Sequence, residues 1–86
     1  MKVSNFESSN GNKVANQFLI IDNGIVIFQS YDSVIAIREN DEVKLDEKYW
    51  DFSKTTGKYR NQFLGETKAE TQKKIDAGIY ALENLN

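Results

Sequence analysis

Residues 49–64, YWDFSKTTGKYRNQFL, carry the only tryptophan of the chain and five of its ten aromatic residues, beside three cations. Phe52, Tyr59 and Phe63 recur within this segment at i, i+7 and i+11, which places them on one face of a helix with 3.6 residues per turn. The pattern predicts an amphipathic helix that buries this aromatic face. We expect Trp50 to fill the corner where a sheet meets the helix.

Capping residues mark both ends of this predicted helix. Either Asp51 or Ser53 can accept a backbone N–H of the first turn, and Gly65 suits the left-handed conformation that often follows a helix. Gly57 opposes the assignment, because a glycine inside a helix costs about 1 kcal/mol relative to alanine. Packing of the aromatic face would have to offset that cost.

A second helix is predicted over residues 68–77. Thr67 and Glu70 stand at the two positions of a capping box, in which each side chain bonds to the backbone of the other residue. Gly78 would end this helix. We expect residues 79–85 to form a short final strand, with a helical continuation as the alternative.

A β-hairpin is the clearest local pattern in the first half of the chain. Two runs of strand-forming residues, 17–22 and 25–30, flank Asn23-Gly24, a dipeptide typical of a two-residue type I′ turn. If Asp22 pairs with Ile25, both faces of the hairpin are apolar. One face would carry Leu19, Ile21, Val26 and Phe28, and the other Phe18, Ile20 and Ile27. Only one face can lie on the helices, so the other needs the N-terminus, the C-terminal tail, a second copy or a partner.

Two further strands are predicted at 34–38 and 43–45, and they extend the hairpin into an antiparallel meander. We therefore expect a single α+β domain over residues 14–86. It would consist of an antiparallel sheet of four to five strands, followed by two helices and a short C-terminal strand. Residues 1–13 are rich in turn-forming residues and show no periodicity, so we expect a flexible N-terminal arm.

Composition limits the chemistry that the chain can perform. Its 86 residues suffice for one small domain. The chain contains no Cys and no His, so it lacks the usual zinc ligands, a thiolate nucleophile and a general base that titrates near neutrality. We expect no enzymatic activity, no bound metal and no cofactor. With no apolar run long enough for a bilayer and no cysteine, we expect a cytoplasmic protein that contacts no membrane.

The net charge of −2 is unevenly distributed along the chain. Residues 1–47 hold four cations and eight acids, whereas residues 48–74 hold seven cations and three acids. This basic half is either the solvated surface of two helices or a binding surface, on which cations contact phosphates and rings stack on the bases of single-stranded nucleic acid. The candidate binding residues are Lys54, Lys58, Arg60, Lys68 and Lys73.

Two segments carry a resemblance to known proteins: FQSYDS at residues 28–33 and YWDFSKTTGKYRNQFLG at residues 49–65. With the LN ending, they resemble a family of small uncharacterised proteins encoded by phages and other mobile elements of Gram-positive bacteria. The resemblance extends from about residue 14 to the end and assigns no activity to any residue. It implies a context in which small accessory proteins inhibit host machinery, including CRISPR nucleases and other defence systems, or assist DNA transactions.

These observations together predict a non-catalytic binding protein. The first expectation is a host-directed inhibitor that acts on a host protein through protein–protein interaction in the host cytoplasm. The alternative is a nucleic-acid-binding accessory protein that uses the basic helical half. The exposed apolar face of the sheet would also allow a homodimer.

Overall fold

The computed structural model describes residues 1–86 and shows an α+β fold, as the sequence predicted. One six-stranded sheet has its strands in chain order, with every neighbouring pair antiparallel except the last, which is parallel. Two helices connect the fifth strand to the sixth. The elements are β1 Lys2–Glu7, β2 Lys13–Asp22, β3 Ile25–Ser30, β4 Ser33–Glu39, β5 Glu42–Asp46, α1 Lys54–Leu64, α2 Lys68–Asp76 and β6 Ala81–Glu83.

The predicted hairpin is present as β2 and β3, with Asp22 opposite Ile25. Asn23 and Gly24 have φ values of 50° and 83°, and a type I′ turn requires positive φ at both central residues. The right-handed twist of the two strands is therefore preserved through the turn.

Both helices begin at their predicted caps and α1 ends at its predicted glycine, whereas α2 ends at Asp76 with Ala77 as its C-cap, one residue earlier than predicted. The Ser53 side chain accepts a hydrogen bond from the Thr56 backbone N–H at 3.1 Å, and Gly65 follows α1 in the left-handed region with φ of 69°. Both halves of the capping box between Thr67 and Glu70 are formed at the start of α2. These contacts satisfy backbone groups that a helix terminus leaves without partners.

The prediction of a flexible arm over residues 1–13 is wrong. Residues 2–7 form the edge strand β1, which is antiparallel to β2, and Phe6 is buried in the core. The turn-forming residues that suggested disorder make a loop closed by the Gly11 N–H, which donates to Ser8 O at 2.9 Å. Four of the six residues of β1 are polar, so the strand has little local pattern and depends on pairing with β2.

An aromatic cluster packs α1 onto one side of the sheet, which we call the inner face. Phe6 lies with its ring centroid 5.0 Å from that of Phe28, and the Phe63 ring lies 5.9 Å from Phe28. Tyr59 completes the cluster from the previous turn of α1, 5.7 Å from Phe6. The predicted burial of Tyr59 and Phe63 is therefore confirmed.

Phe52 was predicted to share that buried face, and this prediction is wrong. Its side chain is 68% exposed, because α1 begins only at Lys54 and Phe52 lies in the preceding turn. The helical period therefore does not apply to it. Trp50, which lies in the same turn, is half-buried against the core as expected.

The C-terminal residues return to the sheet and hold its end in place. The predicted final strand is present as β6, which pairs in parallel with β5. Beyond it, the Leu85 N–H donates to Asp46 Oδ1 at 2.8 Å, and the Asn86 amide bonds to both the N–H and the carbonyl of Val34. No helix is both long and apolar enough to cross a bilayer.

Candidate binding sites

The side of the sheet opposite α1, which we call the outer face, is apolar and carries no covering layer of helices. Strand register aligns Ile20, Ile27 and Ile37 across three neighbouring strands on this face. Its apolar residues are Val3, Phe18, Ile20, Ile25, Ile27, Val34 and Ile37, and all of them are at least partly exposed. Leu85 of the C-terminal tail lines a small cavity of about 210 Å³ on this face, together with Ile27 and Ile37. Of the four covers considered for the second face of the hairpin, the C-terminal tail is therefore present and reaches only part of it.

A basic cleft of about 720 Å³ follows α1 on the opposite side of the molecule. It brings together four of the five candidate cations, because Lys54 and Lys58 lie one turn apart and Lys68 begins the next helix. Lys73 is not part of it. The lining residues are Asp51, Ser53, Lys54, Gly57, Lys58, Arg60, Asn61 and Lys68.

Arg60 differs from the other predicted cations because its side chain is buried, with 1% of its surface exposed. The guanidinium donates hydrogen bonds to Trp50 O at 2.8 Å, to Asp51 Oδ1 at 3.2 Å and to Asn61 Oδ1 at 3.0 Å. It also lies 5.1 Å from the centre of the Trp50 ring, within cation–π range. Arg60 therefore ties the turn before α1 to the helix instead of offering a surface charge.

Asp51 reduces the positive charge at one end of the cleft. Its carboxylate contacts Arg60 at 3.2 Å and Lys68 at 2.6 Å. Burial acts to raise the pKa of Asp51, but hydrogen bonds and charges of Lys68 and Arg60 outweigh it and hold that pKa below its ordinary value. Lys54 and Lys58 make no ion pair, so they are the cations of the cleft that remain available to a ligand.

A second, smaller pocket of about 300 Å³ opens beside the first turn of α1. Its floor contains a chain of hydroxyl groups, in which Ser53 Oγ donates to Thr56 Oγ1 at 3.1 Å and Thr56 Oγ1 shares a 3.2 Å hydrogen bond with Ser30 Oγ. The lining residues are Ser30, Tyr31, Ser33, Ile35, Tyr49, Phe52, Ser53 and Thr56. We call this site the hydroxyl pocket.

Sequence reasoning missed the hydroxyl pocket, because its lining comes from segments that lie about twenty residues apart. Residues 31 and 32 form the turn between β3 and β4. Of the pocket hydroxyls, only that of Ser53 was singled out from the sequence, as a helix cap. A β-bulge between β3 and β4 adds one residue to β4, so that both Ile35 and Ala36 are buried on the inner side. No local pattern in the sequence marks that bulge.

The chain contains no cluster of side chains suited to hold a metal ion. Three polar side chains form a cluster beside α2. The Tyr80 hydroxyl donates a hydrogen bond to the Glu66 carboxylate, and Lys74 Nζ lies 3.3 Å from the same carboxylate. Burial raises the pKa of Tyr80, and the Glu66 carboxylate adds to that effect. These contacts fasten the segment before β6 to the helices.

In a comparison with known protein families, residues 1–78 match a family of unknown function (DUF8033). The match includes β1, both helices and the two pockets, and stops before β6. Neither the curated proteins nor the solved structures gave a match.

Proposed function

The chain belongs to the family of unknown function DUF8033, and we propose that it is a non-catalytic protein-binding domain that uses the outer face of its sheet. The observation that carries this proposal is the row of Ile20, Ile27 and Ile37 on a face with no layer over it. Antiparallel sheets that face water on one side normally alternate apolar and polar residues. A contiguous apolar patch on such a face is typical of an interaction surface.

The charges around this face favour a protein partner over a nucleic acid. Asp22, Glu39 and Glu42 lie on its border at the end where the β2–β3 and β4–β5 turns meet. Lys44 on the same face is paired with Glu83 at 3.8 Å, and the N-terminal amino group lies 3.8 Å from Asp22, so Glu39 and Glu42 are the border acids without an ion pair. An acidic border repels phosphate and attracts Lys or Arg, so the best-fitting partner offers apolar side chains flanked by basic residues.

We propose that this partner is a host protein and that binding inhibits it, in line with the expectation from the resemblance to phage and mobile-element proteins. A host defence component such as a CRISPR nuclease has a basic surface for nucleic acid, which complements an acidic border of this kind. Inhibition would then follow from occupation of the host protein's surface. We propose the host cytoplasm as the place of action, since a chain without cysteine needs no oxidising compartment.

The test compares two variants of matched chemistry. Ile27→Thr/Ile37→Thr keeps β-branched residues in the strands but makes the outer face polar, whereas Ile79→Thr changes an exposed apolar residue in the loop before β6. Wild type and Ile79→Thr should capture the same protein from a nuclease-treated Gram-positive lysate, and the outer-face variant should not. The captured protein would then be purified and titrated against all three.

Three outcomes of this experiment differ in meaning. Equal affinity of the purified partner for wild type and for Ile27→Thr/Ile37→Thr would refute the outer face as the binding surface. Loss of partner activity on binding would support inhibition. Concentration-dependent dimerisation of wild type, abolished by the double variant, would show that a second copy of the chain covers this face instead.

Nucleic-acid binding is the second candidate function, and the basic cleft is the observation that favours it. Two of the lysines that line it, Lys54 and Lys58, make no ion pair and could contact two phosphates. Single-strand binding by two contacts predicts that log Kd varies with log salt concentration with a slope of about 1.4. A labelled single-stranded oligonucleotide titrated across a salt series measures this slope, and Lys54→Glu/Lys58→Glu should abolish the binding.

A further inference from the structure

The two aromatic side chains that are mostly exposed lie at the same pocket. Tyr31 is 60% exposed and Phe52 is 68% exposed, and both line the hydroxyl pocket. Phe52 forms an edge-to-face pair with Tyr49 at 5.5 Å, while Tyr31 pairs with no other ring. Two aromatic rings are therefore exposed to solvent beside the same pocket.

The backbone at Tyr31 adopts a conformation that bulky residues rarely take. Its φ is 54°, in the left-handed region where glycine and asparagine are favoured. Its N–H donates to Asn16 O at 2.7 Å, and its carbonyl accepts from Gln29 Nε2 at 2.8 Å. Both bonds use the backbone of residue 31, so asparagine could form them with less strain, and neither bond requires the tyrosine ring.

The hydroxyl pocket adjoins the basic cleft, because Ser53 lines both. A ligand that enters the pocket, which both exposed rings line, is therefore next to the cleft that contains Lys54 and Lys58. Rings stack on flat aromatic groups, hydroxyls both donate and accept, and lysines attract phosphate. A nucleotide combines a flat polar ring with a phosphate, which are the two groups that these adjoining sites would recognise.

We propose that the hydroxyl pocket binds the base of one nucleotide, with its phosphate held by Lys54 and Lys58. This inference rests on the second candidate function and adds the base-binding site to it. The hydroxyl floor of Ser30, Ser53 and Thr56 accommodates donors and acceptors alike, so the pocket distinguishes bases weakly. The excess of acidic residues in 1–47 repels phosphate and limits the footprint to a short stretch of strand.

The experiment separates base binding from phosphate binding by using two probes. One is a fluorescently labelled oligothymidylate of about ten nucleotides, and the other is an abasic strand of the same length and charge. Three proteins are compared: wild type, Tyr31→Asn/Phe52→Leu and Lys54→Glu/Lys58→Glu. Tyr31→Asn suits the left-handed backbone and Phe52→Leu keeps an apolar side chain, so this pair removes the rings without loss of the fold.

Wild type should bind the oligothymidylate roughly 5- to 150-fold more tightly than the abasic strand, which is the range for stacking on an aromatic side chain. Tyr31→Asn/Phe52→Leu should bind both strands equally, with its abasic affinity unchanged. Lys54→Glu/Lys58→Glu should bind neither strand. A control variant, Leu82→Asn, changes an exposed apolar residue of β6 and should behave as wild type.

The outcomes distinguish this inference from the function on which it rests. Equal binding of both strands by wild type would overturn the base pocket while leaving phosphate binding in place. No binding of either strand would overturn both. Titration with thymidine monophosphate decides the source of the nucleotide: affinity equal to that of the oligonucleotide assigns the pocket to a free nucleotide, and much weaker affinity assigns it to a strand.

Discussion

Replacement of Asp46 by asparagine tests how the C-terminal tail is joined to the sheet. Asp46 is 1% exposed and its carboxylate accepts three backbone N–H bonds. Oδ2 accepts from Lys48 at 3.0 Å and from Tyr49 at 2.8 Å, and Oδ1 accepts from Leu85 at 2.8 Å. The same side chain therefore closes the turn after β5 and holds the tail.

The expected loss of stability follows from these bonds. An asparagine has one acceptor oxygen, so if that oxygen keeps the bonds to Lys48 and Tyr49, its NH₂ group faces the Leu85 N–H. A hydrogen bond to a charged group contributes about 1.5–3 kcal/mol, and the two that remain become weaker without the charge. We expect Asp46→Asn to lower the free energy of unfolding by about 2–4 kcal/mol, a large share of the total for a domain of this size.

Urea unfolding followed by the fluorescence of Trp50 measures the difference at pH 7. Asp41→Asn is the matched control, because Asp41 is exposed in a turn with φ of 66° and should change stability by less than about 0.5 kcal/mol. In the two-dimensional NMR spectrum, the Leu85 amide should move only in Asp46→Asn. A variant as stable as Asp41→Asn, with the Leu85 amide unmoved, would refute the assignment of Asp46 as the anchor.

The pH dependence provides an independent check. Burial acts to raise the pKa of Asp46, but hydrogen bonds from the Leu85, Tyr49 and Lys48 backbone outweigh it and hold that pKa below its ordinary value. A carboxyl whose pKa is lower in the folded state stabilises the fold above its unfolded pKa of about 3.9, and this stabilisation is lost as the pH falls through the folded pKa. The gap between wild type and Asp46→Asn should be constant from about pH 5 to 7 and shrink below about pH 4. A gap that is the same at pH 3 and pH 7 would contradict this account.

Three further predictions use the same unfolding assay. Arg60→Lys should lower the free energy of unfolding by about 2–3 kcal/mol, because a lysine cannot reproduce the forked contacts of the buried guanidinium. Lys58→Gln should change it little. Equal stability of these two variants would show that Arg60 behaves as a surface cation. Gly57→Ala should raise the free energy of unfolding by about 0.5–1 kcal/mol, since its Cβ would lie 3.6 Å from the nearest guanidinium nitrogen of Arg60, an ordinary contact distance. Gly65→Ala should lower it, because the φ of Gly65 is 69°. A loss of stability in Gly57→Ala would mean that the contact with Arg60 is too tight. Phe63→Ala should lose about 3–5 kcal/mol as the centre of the aromatic cluster, and a smaller loss would show that the cavity collapses.

Much of the fold could be predicted because its determinants are close together in the chain. The Asn23-Gly24 turn, the Ser53 cap and the capping box of Thr67 and Glu70 each act over at most three residues, so the residue types alone indicate the geometry. The period of Tyr59 and Phe63 likewise describes one helix face, and their burial follows from it.

The candidate sites were only partly predictable. The sequence grouped Lys54, Lys58 and Lys68 in one basic region, and the structure brings them to one cleft. Arg60 was predicted to belong to the same binding surface, since a cation among polar residues usually lies at the surface. Its burial depends on the Trp50 carbonyl and the Asp51 carboxylate, which reach it only after the turn before α1 folds back on the helix.

The sequence by itself therefore determined the elements with local patterns: the hairpin, both helices with their caps, and the apolar character of both faces of the sheet. Tertiary structure alone decided the pairing of β1, the exposure of Phe52 and the union of Ser30 with Thr56 in one pocket. The physical reason is the range of the interactions. A cap or turn is stabilised by neighbours within a few residues. An edge strand or a pocket forms only when segments tens of residues apart in the chain pack together and bury surface that was in contact with water.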